Sequence, residues 1–222
     1  MRIQSRDAID RTIGPSLRPI SGGESINFAC ARRATRWIAF HGCLSQLFEY
    51  IRPRIVEEGA DVGSGTSVWH HAHLRADASV GTDCVIGKNV YVDTQAVVGD
   101  RCKLQNNVSV YHGVHIGDDV FVGPSATFTN DLVPRAFNPD WKITETYVLN
   151  GVSIGANATI VCGITLGEYS MIAAGATVTH DVAAHQLVAG TPARHLGWVC
   201  KCGKVVSRAA TPPAQLTCGD CV

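Results

Sequence analysis

No stretch of about 18 consecutive apolar residues occurs in this 222-residue sequence, so no membrane-spanning helix is expected. Neither sign of charge is in excess: 19 Lys plus Arg face 19 Asp plus Glu. Bulk electrostatics therefore gives no reason to expect nucleic acid or an anionic membrane as partner. No apolar run follows the basic residues of MRIQSRDAID, so no secretory signal is expected there and a cytoplasmic location is the natural reading. The pattern G-x-x-x-x-G-K-[ST] is missing, which removes support for P-loop ATP chemistry. Charged residues are scarce at 17%, while apolar residues reach 45%, a balance that argues against disorder. The length fits one main domain with a small appendage.

What is present is a repeat. Cut in sixes from Val56, the chain gives VEEGAD, VGSGTS, VWHHAH, LRADAS, VGTDCV, IGKNVY, VDTQAV, VGDRCK, LQNNVS, VYHGVH, IGDDVF, VGPSAT and FTNDLV. Every unit begins with Val, Leu, Ile or Phe. The fifth position is small or apolar from Ala60 through Leu132 except at Thr66, and Gly often stands second, as at Gly63, Gly81, Gly87, Gly99, Gly117 and Gly123. PRAFNPDWKITETY then carries no such pattern. The repeat resumes two residues out of phase as VLNGVS, IGANAT, IVCGIT, LGEYSM, IAAGAT and VTHDVA. A period of six suits neither a 3.6-residue helix nor a long alternating strand. It suits short parallel strands joined by tight turns and wound into a solenoid. The lead residue is expected to point inward, the small fifth residue to let the chain turn, and Gly to permit the turn's backbone angles.

The nine cysteines divide by position. Cys30, Cys43, Cys84, Cys102 and Cys162 are scattered; Cys162, inside IVCGIT with no adjacent base, reads as core. Cys200, Cys202, Cys218 and Cys221 form C-x-C and C-x-x-C on either side of a hairpin-length spacer, which resembles a small zinc ribbon closing a structural Zn site. The competing reading is four unligated thiols on a flexible tail. At the other end, residues 1–50 hold seven Arg and no Lys, and Trp37, Ile38, Leu44, Leu47, Phe48 and Ile51 lie near one helical face. That segment is read either as a helix capping the first coil or as a poorly ordered extension.

The hexads resemble the hexapeptide-transferase family. KLQNNVSVYHGVHIGDDVFVGPSATFTN (103–130), GVSIGANATIVCGITLGEYSMIAAGATVTHDV and AGTPARHLGWVCKCG are similar to one subgroup, the bacterial UDP-2-acetamido-3-amino-2,3-dideoxyglucuronate N-acetyltransferases of surface-polysaccharide synthesis. The resemblance implies an all-β fold, a left-handed parallel β-helix with three hexads to each 18-residue coil. It spans 51–198, with an external loop at about 129–147 and a Cys-rich tail at 199–222. It further implies a homotrimer with active sites between neighbouring β-helices, and acetyl-CoA as co-substrate.

With a coil of 18 residues, side chains 18 apart stack about 4.8 Å apart. Asn89 and Asn107 should stack as an internal ladder or an outer turn; Trp69, Gly87, Gln105 and Gly123 share a second column, and Thr94, His112 and Asn130 a third. The third column ends where the loop departs and is the expected active site. The resemblance places Asn130 at the sugar amine, which it would orient. His112 is the candidate base, although the subgroup carries an acidic residue there. Gln105, Asn106, Asn107 and Tyr111 are candidate contacts to the UDP-sugar, with Arg135 and Lys142 for its pyrophosphate or carboxylate. Gly155, Ala156, Ala173 and Ala174 would leave a groove for pantetheine, and Pro192 and Arg194 of GTPAR would meet the CoA phosphates. His70, His71 and His73 read as a pocket wall or solvated turn, and His180 as a turn residue. Three other readings remain: another acceptor such as a UDP-4-amino sugar or serine, a non-catalytic scaffold, and a γ-carbonic-anhydrase-like hydratase hinted at only by WHHAH.

Overall fold

A computed structural model describes residues 54–221. The expectations for 1–50 lie outside those residues, as does Ile51. All regular structure among the described residues is β. Three parallel faces carry the strands. Face A runs Ile55–Val56, His73–Leu74, Tyr91–Val92, Ser109–Val110, Thr127–Phe128, Thr159–Ile160 and Thr177–Val178. Face B runs Asp61–Val62, Ser79–Val80, Val97–Val98, Val114–Ile116, Thr146–Val148 and Thr165–Leu166. Face C runs Ser67–Val68, Val85–Ile86, Lys103–Leu104, Phe121–Val122, Ser153–Ile154 and Met171–Ile172, then Gln186–Ala189. The chain passes A to B to C and back, and away from the loop and the last coil each strand pairs with the one 18 residues on, as Ile55 does with His73 and Val85 with Lys103.

The core explains the period. Lead residues from Leu74 to Phe128 and from Val148 to Val178 are buried. The fifth residue is buried as well, as at Cys84, Val90, Ala96, Cys102 and Val108. So the fifth residue does more than permit a turn: each hexad sends two side chains inward, and a small one fits at the narrowing corner. Thr66, the polar exception, donates its hydroxyl to the Gly81 carbonyl at 2.7 Å and accepts the Cys84 N–H at 2.9 Å. Leu132 departs from the expectation. It is 57% exposed, because the thirteenth hexad leaves the solenoid after Asn130.

The turn geometry divides the role given to Gly between two positions. The left-handed backbone position is the fourth of the hexad; Gly59, Gly65, Gly113, Gly151, Gly163 and Gly175 occupy it at φ of 70–91°, as expected, and Asp77, Asp83, Asn89, Asn107, Asp119 and Asn157 at φ of 54–64°. Asp and Asn tolerate this region better than most residues. The second-position glycines have ordinary φ and are needed for another reason. A Cβ on Gly123 would stand 2.6 Å from the Ala156 nitrogen and 2.7 Å from the Gly155 carbonyl carbon. They let one coil rest directly on the next. Gly123→Ala is accordingly expected to cost about 1–3 kcal/mol by overpacking; an unchanged urea midpoint would refute this account of the coil contact.

These glycines favour two of the three corners. The B–C corner has Gly63, Gly81, Gly99 and Gly117, and the C–A corner has Gly87, Gly123 and Gly155. At the A–B corner the same position holds Glu57, Arg75, Asp93, Tyr111 and Thr129. This corner carries polar side chains where the others carry backbone contact.

The loop leaves and returns at the A–B corner. Ile116 pairs with Val148, thirty-two residues on instead of eighteen, so the excursion adds fourteen residues without disturbing the stack. After the last parallel strand the chain reverses: Arg194–Val199 pairs antiparallel with Gln186–Ala189, and Val205–Ser207 follows, all on face C.

Candidate active site

The third column forms as expected. Asp93 at the A–B corner accepts the Thr94 N–H at 2.8 Å and the His112 N–H at 3.4 Å through its two carboxylate oxygens. One coil on, the Asn130 side-chain amide donates to the His112 carbonyl at 3.3 Å, and the Asn130 carbonyl accepts the Thr144 N–H at 2.9 Å. Asn130 therefore ties the departing and returning limbs of the loop together directly over His112. The next member, Cys162, donates its N–H to the Thr129 hydroxyl oxygen at 3.0 Å. Its thiol is buried, as are those of Cys84 and Cys102, and burial pushes the Cys102 thiol up to about 12, well away from reactivity.

A cleft of about 530 Å³ opens at this corner, lined by Gln95, His112, Gly113, His115, Ile143, Thr144 and Glu145. His112 is thus in the cleft, while Asn130 stands at its edge and outside its lining. The sequence reading missed His115 and Glu145. His115 stacks on Tyr147, with ring centroids 5.0 Å apart, and its Nε2 lies 3.9 Å from a Glu145 carboxylate oxygen. The Tyr147 hydroxyl donates to the other oxygen, and that bond raises the Tyr147 pKa. A signal for His115 did exist: it is the sixth residue of its hexad, an outward strand position, and the fourteen-residue shift puts Tyr147 above it. Glu145 had no such signal, because it belongs to the non-repeating loop.

A second polar chain leads down the same corner. Tyr91 donates to Asp93 at 2.9 Å, Arg75 reaches the Tyr91 oxygen at 3.3 Å, and Glu57 lies 3.2 Å from Arg75 and 2.6 Å from His73. The Ala76 N–H and then His73 hold the Glu57 carboxyl below its ordinary range, while Tyr91 and Glu57 raise the Arg75 guanidinium. Tyr111 packs on Tyr91 at 5.9 Å between ring centroids. His73 is thereby engaged, His71 takes the turn position at φ 60°, and His70 with Trp69 and Arg54 walls a separate cleft of about 500 Å³. His70, His71 and His73 do not converge as metal ligands; among the described residues only the four tail cysteines do. His180 is an exposed turn residue bonded to Thr179.

The other candidate residues lie at the C–A corner. Gln105, Asn106 and Asn107 occupy one turn there, where Asn106 accepts the Lys88 N–H at 2.9 Å and Asn107 accepts from Asn89 at 3.0 Å. The Asn89–Asn107 ladder is on the exposed outer turn, so of the two places open to it the outer one is realised. Ala156 and Ala174 continue the Asn106 column, and Gly155 lies directly beneath Ala173 and Ala174. The turn before Arg194 returns to the same corner: Thr177 donates its N–H to Gly190 at 3.0 Å, Ala193 donates to Thr177 at 2.8 Å, and the Thr191 hydroxyl reaches the Gly175 carbonyl at 3.3 Å. Pro192 and Arg194 flank this turn and are exposed, and among the described residues the Arg194 guanidinium bonds only the Ala193 carbonyl, at 3.1 Å. Arg135 and Lys142 project from the loop, both exposed. The structure therefore gathers the cofactor candidates with Gln105–Asn107 at one corner and His112 with Asn130 at another. One six-residue side of the triangle separates them, roughly 20 Å at about 3.3 Å per residue.

A three-faced parallel solenoid with an eighteen-residue rise and an excursion over one corner defines a hexapeptide-repeat protein. The model of the bacterial transferase hexapeptide family (six repeats) matches residues 95–130 and 145–180, the two sides of that excursion. The chain is 35% identical to a dTDP-3-amino-3,6-dideoxy-α-D-galactopyranose 3-N-acetyltransferase of Aneurinibacillus thermoaerophilus, over 69% of this chain and 80% of that protein. It is 44% identical over 78 residues to a 2,3,4,5-tetrahydropyridine-2,6-dicarboxylate N-acetyltransferase of Staphylococcus aureus, a stretch covering 35% of this chain and 30% of that one. Among solved structures, a GDP-perosamine N-acetyltransferase variant from Caulobacter crescentus, complexed with CoA and GDP-perosamine, superposes with a TM-score of 0.50 at 17% identity, over 72% of this chain and 65% of that one, and shares the fold. The chain belongs to the hexapeptide-repeat acyltransferases. No helix long and apolar enough to cross a membrane occurs among the described residues.

Proposed function

We propose that the chain is an acetyl-CoA-dependent N-acetyltransferase acting on the 3-amino group of a nucleotide-linked sugar, specifically a UDP-2-acetamido-3-amino-2,3-dideoxyglucuronate destined for surface polysaccharide. The observation that carries this reading is the 35% identity, across 80% of its length, to an enzyme named for acetylating a 3-amino group on a dTDP-sugar. The A–B corner suits the chemistry. The amine attacks the thioester carbonyl, a tetrahedral oxyanion forms, and its collapse expels the CoA thiolate. The nitrogen sheds one proton on the way, to the departing thiolate or to a neutral imidazole. His112 in the cleft supplies that imidazole. Asn130, at the cleft's edge, orients the amine; an amide does not act as a base near neutral pH. Tyr111, Arg135 and Lys142 serve the sugar nucleotide, the two cations through its pyrophosphate or carboxylate.

The separation of corners supports an assembly. Pantetheine lying along Gly155, Ala156, Ala173 and Ala174, with Pro192 and Arg194 at its phosphate end, stays one side away from His112 of the same chain. A homotrimer places the C–A corner of one copy beside the A–B corner of the next, so that Gln105, Asn106 and Asn107 reach the acceptor held by the neighbour.

The test is thiol release from acetyl-CoA, followed with a chromogenic disulfide, in the presence of UDP-3-amino-glucuronate, a dTDP-3-amino sugar, a UDP-4-amino sugar or serine. Release is expected with the first and, more slowly, with the second. Faster release with serine or the 4-amine would reassign the acceptor. Silence with every amine, from a folded oligomer, would mean a scaffold.

A further inference from the structure

Four thiols have no place in the cleft chemistry. Cys200 and Cys202 flank the turn that follows Arg194–Val199. There the Cys200 N–H donates to the Lys204 carbonyl and the Gly203 N–H returns to the Cys200 carbonyl, both at 2.9 Å, with Gly203 at φ 85°. Cys218 and Cys221 close a second turn, with the Cys221 N–H on the Cys218 carbonyl at 3.1 Å. All four sulfurs lie within 4.8 Å of one another. Around the ring, Cys200 to Cys221 is 3.9 Å, Cys221 to Cys218 3.3 Å, Cys218 to Cys202 3.4 Å and Cys202 to Cys200 2.7 Å. A tetrahedral ion with Zn–S bonds of about 2.3 Å has sulfur–sulfur edges of roughly 3.8 Å. The sulfurs thus enclose a point that such an ion fits after shifts of well under a bond length. Four sulfur donors with no carboxylate or imidazole among them select a soft or borderline ion in tetrahedral geometry.

The surroundings show what the ion would do. Between Ser207 and Cys218 the tail makes no strand, and its fixed point is the Ala209 carbonyl, which accepts the Trp198 Nε1–H at 2.9 Å and lies 2.8 Å from His195 Nε2. The Lys204–Asp220 ion pair joins the two turns but is exposed, and exposed pairs hold little. The first turn, in contrast, is seated on the last coil: Cys200 is buried, Lys201 lies 4.8 Å over the Tyr169 ring, and His185 Nδ1 lies 2.9 Å from the Val199 carbonyl.

We propose that Cys200, Cys202, Cys218 and Cys221 form a closed structural Zn²⁺ site that staples the C-terminal turn to the end of the solenoid. All four positions are filled by protein, so the ion has no open site and takes no part in acetyl transfer. It holds the far end of the strand that begins at Arg194. This inference stands apart from the acceptor assignment and survives or fails without it.

The experiment is metal analysis of the untagged full chain, followed by titration with an organomercurial in the presence of a zinc-sensitive dye. One zinc per chain is expected, released as four thiols are consumed. Cobalt exchanged into the same protein should show the intense visible bands and sulfur-to-metal charge transfer of a tetrahedral tetrathiolate. Cys218→Ser with Cys221→Ser should abolish the zinc while amine-dependent thiol release from acetyl-CoA persists; if that variant does not fold, the cobalt spectrum of the parent chain decides. Zinc well below one per chain with four freely reacting thiols, iron in its place, or a Cys200–Cys202 disulfide in the isolated protein would each overturn the site.

Discussion

Asn130→Ala is expected to lower turnover of the 3-amino sugar by about 10²–10³-fold, the loss typical of a deleted polar group that acts in the transition state. CoA binding should change little, because the small-residue column and Arg194 sit at another corner of the triangle. On the proposed mechanism the side chain has two tasks, and the test must separate them. Its amide donates to the His112 carbonyl under the loop, so its loss could also loosen the loop. The Asn130 carbonyl bond to Thr144 is backbone and survives substitution. A readout that distinguishes the tasks is kcat against KM: misplacing the amine lowers kcat, whereas a loosened loop carrying Arg135 and Lys142 raises KM for the sugar. Turnover within a few-fold of the parent would remove Asn130 from the reaction.

Phe128→Ala is expected to cost about 3–5 kcal/mol, the range for truncating a buried aromatic. Phe128 is fully buried and, among the described residues, is the largest side chain so placed. Its strand, Thr127–Phe128, pairs with Ser109 below and with Thr159–Ile160 above. Phe128 also immediately precedes Thr129 and Asn130, so the cavity would open beneath the candidate active corner. Urea unfolding measures the loss; Phe121→Ala, on the outer surface of face C and 40% exposed, serves as the comparison and should cost under about 1 kcal/mol. Equal effects at the two positions would mean that the inward assignment of the lead residues is wrong.

Most of the fold was legible because its rule is local. A solenoid repeats one environment, so a hydrophobic residue every six positions reports the inward side of every strand, and the two-residue phase shift at Val148 marks the excursion. The columns followed by arithmetic, and Thr94, His112 and Asn130 do meet. Sequence reasoning erred where a residue type serves two physical needs. Gly was read as a turn residue, and at the fourth position, as at Gly59 and Gly113, it is one, sharing that place with Asp and Asn; at the second position it instead clears room for the adjoining coil. The thirteenth hexad looked regular in sequence, but Leu132 is outside the solenoid because the chain leaves at Asn130.

The candidate site was legible only in part. The glycine-free second positions Glu57, Arg75, Asp93 and Tyr111, eighteen apart, mark the A–B corner in the sequence itself, and that signal needs only the coil length to be read. Glu145 joins His115 because a non-repeating loop returns there, which no periodicity encodes. That Gln105–Asn107 stand with the small-residue column and not with His112 also required the corners to be drawn.

By itself, then, the sequence determined the strand period, the identity of the core, the place of the interruption and the family to which the chain belongs, since each depends on neighbours along the chain. Only the tertiary structure decided that Glu145 returns beside His115, and that two pairs of cysteines with fifteen residues between them share one point. Both depend on where chain segments return to one another in space, and side-chain direction at a return is set by packing rather than by spacing.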